Sequence, residues 1–211
     1  MNIFYIVIAV ILAYLLGSIP SAVWAGRIFH GIDIREHGSG NAGATNVIRV
    51  LGWKTGIPVM IMDVAKGWLA AYLPILFSLA DKESTQLTGL QILTGVVAIT
   101  GHIYPVFAGF RGGKGVGSTF GVLLALHPVL TLSCLGVFIA VLLLTGYVSV
   151  SSMTAGIAFP IFLFTIFGTP SVAFKVFSIL IAFGLILTHR KNIRRLLNGE
   201  EPKFIKRRKK E

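Results

Sequence analysis

The feature that most constrains this chain is a run of 60 residues, 115–174, that contains no Asp, Glu, Lys or Arg. In a soluble domain about a quarter of such positions would be charged. Two further uncharged stretches, 1–26 and 84–110, are each long enough for a helix to cross a hydrocarbon core, which takes roughly 20 apolar residues. With 55% hydrophobic and 13% charged residues and a mean hydropathy of +0.82, the chain is predicted to be an integral membrane protein.

Glycine, proline and polar clusters divide the apolar runs, because helices stop before such residues or bend at them. In the long run these breaks fall at 127–128, 145–152 and 168–170. They predict an all-α polytopic membrane helix bundle of about seven transmembrane helices, in which the fourth span is short. We expect one membrane domain, 1–211, with a basic tail at 202–211. The predicted spans lie near residues 3–25, 55–79, 86–108, 113–128, 129–146, 151–167 and 171–189.

The basic residues predict the orientation of the chain. Apart from Lys66, Lys82 and Lys175, every Lys and Arg falls within residues 27–54, at positions 111 and 114, or in the tail from position 190. Two predicted spans separate the first block from the second, and four separate the second from the third, so all three blocks face one compartment. The positive-inside rule makes that compartment the cytoplasm. The N-terminus is then outside and the C-terminus cytoplasmic.

The first polar loop, residues 38–52, reads GSGNAGATNVIRVLG. Glycine lets backbone N–H groups approach a ligand closely, hydroxyl and amide side chains supply neutral hydrogen bonds, and arginine presents a planar fork to phosphate or carboxylate. The pattern favours an anion site, and a flexible polar connection is the alternative. The candidate binding residues are Ser39, Asn41, Thr45, Asn46 and Arg49.

The second loop, residues 109–119, reads GFRGGKGVGST and has the same chemistry. Its glycines precede a helix predicted to begin at Gly113, so free N–H groups and the positive end of the helix dipole would face an anion. The stretch lacks the G-x-x-x-x-G-K-[ST] pattern of a Walker P-loop. Close helix packing by small residues is the alternative. The candidate binding residues are Gly112, Gly113, Lys114 and Gly115.

The third segment, residues 189–201, reads HRKNIRRLLNGEE and follows the last span. On a helix His189, Asn192 and Arg195 share a face by i, i+3 spacing, and Glu200 comes just after a stop signal. The alternative for His189 is an ordinary histidine at a membrane boundary. These residues join the candidate site because the segment is predicted to lie on the same side as the other two loops.

Two charged residues, Asp63 and Lys66, fall inside the second span. Charges at that depth are expensive unless they pair or face protein, and the i, i+3 spacing predicts that these two pair. A role near the site is the alternative. The single Cys134 is predicted to pack within a helix, and no metal site is predicted, because His30 and Asp33 form only an isolated pair.

Five stretches in this order resemble the bacterial acyl-phosphate:glycerol-3-phosphate acyltransferases, integral membrane enzymes of phospholipid synthesis. They are GSIPSAVWAGR, DIREHGSGNAGATNVIRVLG, DVAKG, GHIYPVFAGFRGGKGVGST and HRKNIRRLLNGEE, and the resemblance covers essentially the whole chain. One departure is Gly117-Ser118, where the family pattern has Ala-Thr. The resemblance implies transfer of a fatty acyl group from acyl phosphate to the 1-hydroxyl of glycerol 3-phosphate, giving lysophosphatidic acid and inorganic phosphate.

Roles follow from the resemblance as expectations. The second loop and the polar residues of the first hold the acyl phosphate, while Arg49 and the third segment hold glycerol 3-phosphate; Glu200 orients a cation or contacts the glycerol. An activated donor needs no covalent intermediate, and no Ser-His-Asp or Cys-His arrangement is evident. The base is His189, Ser39 or, as we favour, the substrate phosphate. The residues expected to be catalytic are Ser39, Lys114, His189 and Asn192.

The expected setting is a bacterial cytoplasmic (inner) membrane with the active face in the cytoplasm. Membrane lipids and the two substrates are the expected partners, with functional coupling to the enzyme that makes acyl phosphate; no cofactor and no nucleic acid is expected. The alternative function is a small-anion transporter or channel for phosphate. A transporter should show an internal repeat or a pair of broken helices in corresponding halves, and neither is evident.

Overall fold

A computed structural model describes residues 3–82, 84–169 and 171–205. Within these residues the chain is helical and contains no strand. It divides into two compact units, Met1–Pro128 and Val129–Glu211. The α-helices are α1 (Ile3–Gly17), α2 (Ser21–His30), α3 (Ala44–Leu51), α4 (Trp53–Leu76), α5 (Thr85–Ile103), α6 (Val116–Leu126), α7 (Pro128–Thr145), α8 (Val148–Phe162), α9 (Val172–Thr188) and α10 (Arg190–Leu197).

Helix α4 is the centre of the first unit and packs against α1, α3, α5 and α6. Glycines make the contact with α6 a close one. A Cβ at Gly67 would clash with the backbone of Ser118, and one at Gly121 would clash with the backbone oxygen of Val64. Small residues that bring backbones together are typical of membrane helix interfaces. Close packing therefore explains some of the glycines after residue 115, as one alternative had predicted.

The predicted first span, 3–25, is two helices in the structure. α1 ends at Gly17, α2 begins at Ser21, and their axes differ by 43°. Pro20, which precedes α2, has no N–H to continue the helical hydrogen-bond ladder. The break exposes the Ile19 carbonyl oxygen, and the Lys66 ammonium donates to it at 2.8 Å.

The fourth predicted helix is shorter than the sequence indicates. We expected it to begin at Gly113, and that boundary is wrong, because α6 begins at Val116. The residues before it pair with the end of α5 instead of continuing a helix. With 11 residues α6 is about 16 Å long at 1.5 Å per residue, roughly half of a 30 Å hydrocarbon core.

The second unit consists of α7 to α10. Helix α8 continues into a π-helical turn, Leu163–Phe167, and α9 meets α10 at His189 with a bend of 55°. The predicted breaks near residues 127–128 and 145–152 are confirmed by the ends of α6 and α7. Pro170, part of the third predicted break, lies outside the described residues, as do Glu83 and the tail from residue 206.

Four helical segments in the described part of the chain are long and apolar enough to cross a membrane, and the number rises to six if each bent pair is one span. The additional short apolar helix is α6. The protein is therefore a multi-pass helical membrane protein. The seven-span count and the orientation predicted from the sequence remain predictions.

Candidate active site

The side chain of Asn46 organises the first loop. Its Oδ1 accepts the Ser39 backbone N–H at 2.8 Å, and its Nδ2 donates to the carbonyl oxygens of Ile34 and His37, both at 3.0 Å. Asn46 is only 1% exposed. Both ends of this amide are thus hydrogen-bonded to the backbone around the loop, which gives Asn46 a structural role; its contact with a ligand stays a prediction.

Buried apolar side chains hold the first loop against helix α4. Ile34 and Val47 are fully buried and pack in one apolar cluster with Val59 of α4. Gly38 has φ = +61°, in the left-handed region, and a Cβ there would clash with the Asn46 amide. The loop therefore has one defined shape. The other candidate residues of this loop, Ser39, Asn41, Thr45 and Arg49, are partly exposed.

The second loop uses Gly112 and Gly113 differently from the prediction. The Gly112 N–H donates to the Ile103 carbonyl and the Gly113 N–H to the His102 carbonyl, both at 3.1 Å. These carbonyls lie at the end of α5, where the last turn of a helix offers them no N–H donor of its own. The prediction that the amides of Gly112 and Gly113 face an anion is therefore wrong.

The remaining part of the second loop, at the start of α6, is compatible with the predicted anion site. Gly115 is buried and precedes α6 with φ = +82°, a conformation that favours glycine. The first N–H groups of α6 have no acceptor within the helix, and the positive end of the helix dipole is at this point. Lys114 is partly exposed directly before them. The candidate anion site therefore comprises Lys114, Gly115 and the first turn of α6.

Arg35, in the turn before the first loop, is hydrogen-bonded to the start of the second loop. Its Nη1 donates to the carbonyl oxygens of Ala108 at 2.8 Å and Arg111 at 3.1 Å. Its other nitrogens form a two-point pair with Asp33, with Nε to Oδ1 at 2.9 Å and Nη2 to Oδ2 at 2.7 Å. The hydrogen bonds from Arg35 hold the pKa of the Asp33 carboxyl well below its ordinary value. The sequence had not singled out Arg35 as part of the site.

We expect Arg35→Ala to lower the catalytic rate about tenfold, because the second loop loses two of its anchors and each hydrogen bond to a charged group is worth about 1.5–3 kcal/mol. Arg27→Ala is the matched control. Arg27 also pairs with Asp33, at 2.9 Å, but is 59% exposed. Steady-state rates of the reaction that the family resemblance implies are measured for both variants. Equal rates for the two would contradict the role of Arg35.

The third segment lies in the second unit, and its centre is Glu201. Oε1 of Glu201 accepts from Asn192 Nδ2 at 2.6 Å and from the Ser149 hydroxyl at 2.8 Å, and Oε2 accepts from Arg195 Nε at 2.8 Å. Burial would raise the pKa of the Glu201 carboxyl, but these three hydrogen bonds outweigh it and leave the pKa lowered.

The sequence had suggested Glu200 for this segment, and the structure places it elsewhere. Glu200 is exposed, and its backbone N–H donates to the Arg195 carbonyl at 2.8 Å, where the chain leaves α10. Adjacent glutamates cannot be told apart by composition or charge. The direction of the turn after α10 decides which of them faces Asn192.

His189, at the junction of α9 and α10, is 2% exposed. Its Nδ1 lies 2.7 Å from the Leu185 carbonyl oxygen. A carbonyl only accepts, so Nδ1 carries a proton, and in the neutral ring Nε2 holds the lone pair. This contact fixes both the tautomer and the orientation of the ring.

Within the first unit the structure brings the first and second loops together, while the third segment forms its own cluster in the second unit. The predicted pairing of Asp63 with Lys66 is confirmed, with Lys66 Nζ 2.9 Å from Asp63 Oδ1. Sequence reasoning missed several residues that shape these loops: Ser21, Asp33, Arg35, His102, Ser149 and Glu201.

These features define a class: a multi-pass helical membrane protein whose glycine-rich, basic loops suit a ligand with an anionic group. Sequence comparison identifies the family. The profile of the family described as glycerol-3-phosphate acyltransferase matches residues 7–199. The chain belongs to this family and is an integral membrane acyltransferase.

Individual relatives agree with the profile. A glycerol-3-phosphate acyltransferase of Geobacillus kaustophilus (strain HTA426) is 48% identical over 193 residues, covering 92% of this chain and 93% of the relative. One from Chlorobium phaeobacteroides (strain BS1) is 40% identical and covers 94% of this chain and 96% of the relative.

A solved structure has the same fold. The crystal structure of PlsY (YgiH), described as an integral membrane glycerol 3-phosphate acyltransferase in its glycerol 3-phosphate form, superposes with a TM-score of 0.82. It is 40% identical and the match covers 95% of this chain and 96% of that one. A second PlsY structure, the lysophosphatidic acid form, matches with a TM-score of 0.79 and 38% identity.

Proposed function

We propose that this protein transfers a fatty acyl group from acyl phosphate to the 1-hydroxyl of glycerol 3-phosphate. The products are lysophosphatidic acid and inorganic phosphate, and the reaction is the first acylation of phospholipid synthesis. The observation that carries the proposal is the match to PlsY, which is solved in a glycerol 3-phosphate form and in a lysophosphatidic acid form. One is the proposed acceptor and the other the proposed product.

The chemistry forms one ester bond and breaks one mixed-anhydride bond. The 1-hydroxyl oxygen attacks the acyl carbonyl carbon, the bond from that carbon to the phosphate oxygen breaks, and the hydroxyl proton ends on the released phosphate. Negative charge develops on the carbonyl oxygen and on the leaving phosphate. Fixed donors near those oxygens lower the barrier.

The second loop supplies such donors. We assign the acyl phosphate to Lys114, Gly115 and the first turn of α6, with Ser39, Asn41 and Thr45 of the first loop beside them. Gly112 and Gly113 act by leaving room: a Cβ at Gly113 would clash with the His102 ring and lie 3.0 Å from the Ala42 oxygen. Their contribution is the shape of the loop, not donated hydrogen bonds.

Glycerol 3-phosphate is assigned to Arg49, Asn192, Arg195 and His189, as the family resemblance implies. Arginine suits a phosphate because its planar fork makes two parallel hydrogen bonds. Glu201 holds Asn192 and Arg195 in place through its two oxygens. We assign the proton transfer to the substrate phosphate, since a leaving phosphate accepts the proton without a separate base.

A reaction in detergent micelles tests the donor. Purified protein is incubated with palmitoyl phosphate and radiolabelled glycerol 3-phosphate, and lysophosphatidic acid and released phosphate are both measured. We expect equal amounts of the two. Palmitoyl-CoA in place of palmitoyl phosphate is the control and should give no product. Transfer from palmitoyl-CoA alone would overturn the proposed donor.

We further propose seven spans in the bacterial cytoplasmic membrane, with the active face and the C-terminus in the cytoplasm. The support is the placement of basic residues in the loops. Use of an acyl phosphate also implies functional coupling to an enzyme that makes it. The transporter alternative is not favoured, because the family of the chain is one of acyltransferases.

The topology has its own test. In a Cys134→Ser background, Asp81→Cys and Lys203→Cys should be labelled from opposite sides of the membrane by an impermeant thiol reagent. An odd number of spans lies between these positions in the proposed topology. Both residues are exposed, so the reagent can reach them. Labelling of both from the same side would contradict the span count.

A further inference from the structure

A buried polar cluster lies next to the second loop, and its four members come from three helices of the first unit. We define it as Ser21 of α2, Asp63 and Lys66 of α4, and His102 of α5. All four residues are buried, and Lys66 is only 4% exposed. The proposed reaction assigns none of them a role.

The cluster is centred on one carboxylate oxygen. Asp63 Oδ1 accepts from the Ser21 hydroxyl at 2.5 Å and from Lys66 Nζ at 2.9 Å, and Nδ1 of His102 lies 3.5 Å from the same oxygen. A separation of 3.5 Å is too long for a good hydrogen bond, so Nδ1 contacts the carboxylate without a hydrogen bond. Lys66 also donates to the Ile19 carbonyl, so the chain break after α1 is part of the same network.

Stability alone does not explain this cluster. Desolvating two charges costs several kcal/mol per ion, and replacing a buried ion pair by apolar residues of similar volume is often neutral or stabilising. Inside a membrane span the same residues are rare unless they serve a function. The function of the cluster is therefore inferred from its position next to the second loop.

The cluster approaches the second loop at two positions, Gly113 and Gly117, which lie on either side of Lys114 and Gly115. The His102 carbonyl accepts the Gly113 N–H at 3.1 Å, and a Cβ at Gly113 would clash with Nε2 of the His102 ring. A Cβ at Gly117, in the first turn of α6, would lie 3.0 Å from the Asp63 Cβ. Lys114 and Gly115 are thus held between two contacts to the cluster. A cavity of about 10 Å³, close to the smallest that holds one water molecule, is lined by residues that include Gly113, Lys66 and His102.

We propose that His102, packed against the Asp63 carboxylate that Lys66 holds in place, is a positioning residue that sets the distance and direction of Lys114 and the first turn of α6. This inference rests on the proposed function, because the loop that it positions is the one assigned to the acyl phosphate. His102 contacts the loop through its carbonyl and through its ring, so the ring determines how closely Gly113 approaches α5.

The first test is the kinetic effect of His102→Ala. Without the ring, Gly113 is free to move toward α5, and displacing a binding group by about 1 Å lowers the rate up to about 100-fold. We expect kcat/KM for palmitoyl phosphate to fall about 10- to 100-fold, and KM for glycerol 3-phosphate to stay within about twofold. His102→Gln, which retains part of the volume, should lie between this variant and the wild type.

The control is Gln91→Leu. Gln91 is also buried on α5 and also bridges to α4, through a hydrogen bond to the Ala71 carbonyl at 3.2 Å, but it does not contact the second loop. A merely structural role for His102 predicts that both variants lower thermal stability and leave both kinetic constants near wild type. That outcome would overturn the proposal.

The second test is a double-variant cycle with Gly113→Ala. The added Cβ clashes with the His102 ring, so Gly113→Ala alone should be harmful and His102→Ala should partly restore it. Positive coupling, measured in kcat/KM and also in thermal stability in detergent, is expected for groups in contact. Additive effects in both measurements would overturn the contact that the proposal requires.

The experiments distinguish a failure of the proposed acyl phosphate donor from a failure of the proposed positioning role of His102. Wild-type protein that does not use palmitoyl phosphate contradicts the proposed donor, while the stability cycle still tests the contact between His102 and Gly113. Active wild-type protein together with kinetically silent His102 variants contradicts the positioning role alone.

Discussion

Lys114→Ala is expected to lower kcat/KM for the acyl phosphate about 10- to 150-fold, because it removes a charge-assisted contact worth about 1.5–3 kcal/mol. Lys114 directly precedes Gly115, the residue before α6, so its charge adds to the positive end of the helix dipole. Negative charge develops on the leaving phosphate during the reaction. A cation that meets this charge mainly in the transition state changes kcat as well as KM.

Lys54→Ala is the matched control for Lys114→Ala. Lys54 is an exposed lysine in the first turn of α4. Its removal changes the net charge by the same amount but leaves the second loop intact, so activity should stay near wild type. Kinetics of both variants are compared in protein of equal thermal stability. Wild-type kinetics for Lys114→Ala would refute the assignment of this loop to the acyl phosphate.

Arg49→Ala has a different kinetic signature. The resemblance assigns Arg49 to glycerol 3-phosphate, so its loss should raise KM for that substrate. An unchanged kcat would mean that Arg49 binds ground and transition states equally. Separate effects on the KM values of the two substrates are expected if each substrate has its own anion site.

Much of the fold was predictable because apolar length and helix breakers are local properties of a sequence. The run at 115–174 and its breaks predicted the helices correctly, apart from their ends. The Asp63–Lys66 pair was predictable for a similar reason: i, i+3 spacing on a helix brings two side chains together whatever the rest of the chain does.

The errors in the second loop have one physical cause. The sequence predicts Gly112 and Gly113 as anion donors, because glycine-rich segments before helices commonly act in this way. The free carbonyls at the end of α5 compete with an anion for the same N–H groups. The N–H groups of Gly112 and Gly113 bond to these carbonyls because the chain turns back along α5. Such competition depends on a tertiary turn that neither composition nor spacing reveals.

Long-range partners were missed for the same reason. Arg35 lies 73 and 76 residues from the two carbonyls that it binds, and Ser149 lies 52 residues from Glu201. Their residue types are compatible with many roles, and only the folded chain selects one. The distinction between Glu200 and Glu201 is the sharpest case, since one position along the chain separates an exposed carboxylate from a buried one.

Glu201→Ala is expected to destabilise the second unit by about 2–3 kcal/mol. Removing one partner of a fully buried pair costs about 3–5 kcal/mol, and the smaller figure applies because the Arg195 side chain is 29% exposed. Glu200→Ala is the matched control and should stay within about 0.5 kcal/mol, as for most surface substitutions. The buried thiol of Cys134, in the same unit, reports unfolding when a thiol-reactive dye is present during heating in detergent.

The same variants predict a pH dependence. The pKa of Glu201 is lower in the folded protein than in an unfolded chain, so its stabilisation is fully present above the unfolded pKa of about 4.3 and is lost as the pH falls below it. Between pH 7 and pH 3 the melting temperature of the wild type should therefore approach that of Glu201→Ala, while Glu200→Ala should follow the wild type throughout. A constant gap between wild type and Glu201→Ala over this range would show that the carboxylate of Glu201 does not hold Asn192 and Arg195 through its charge.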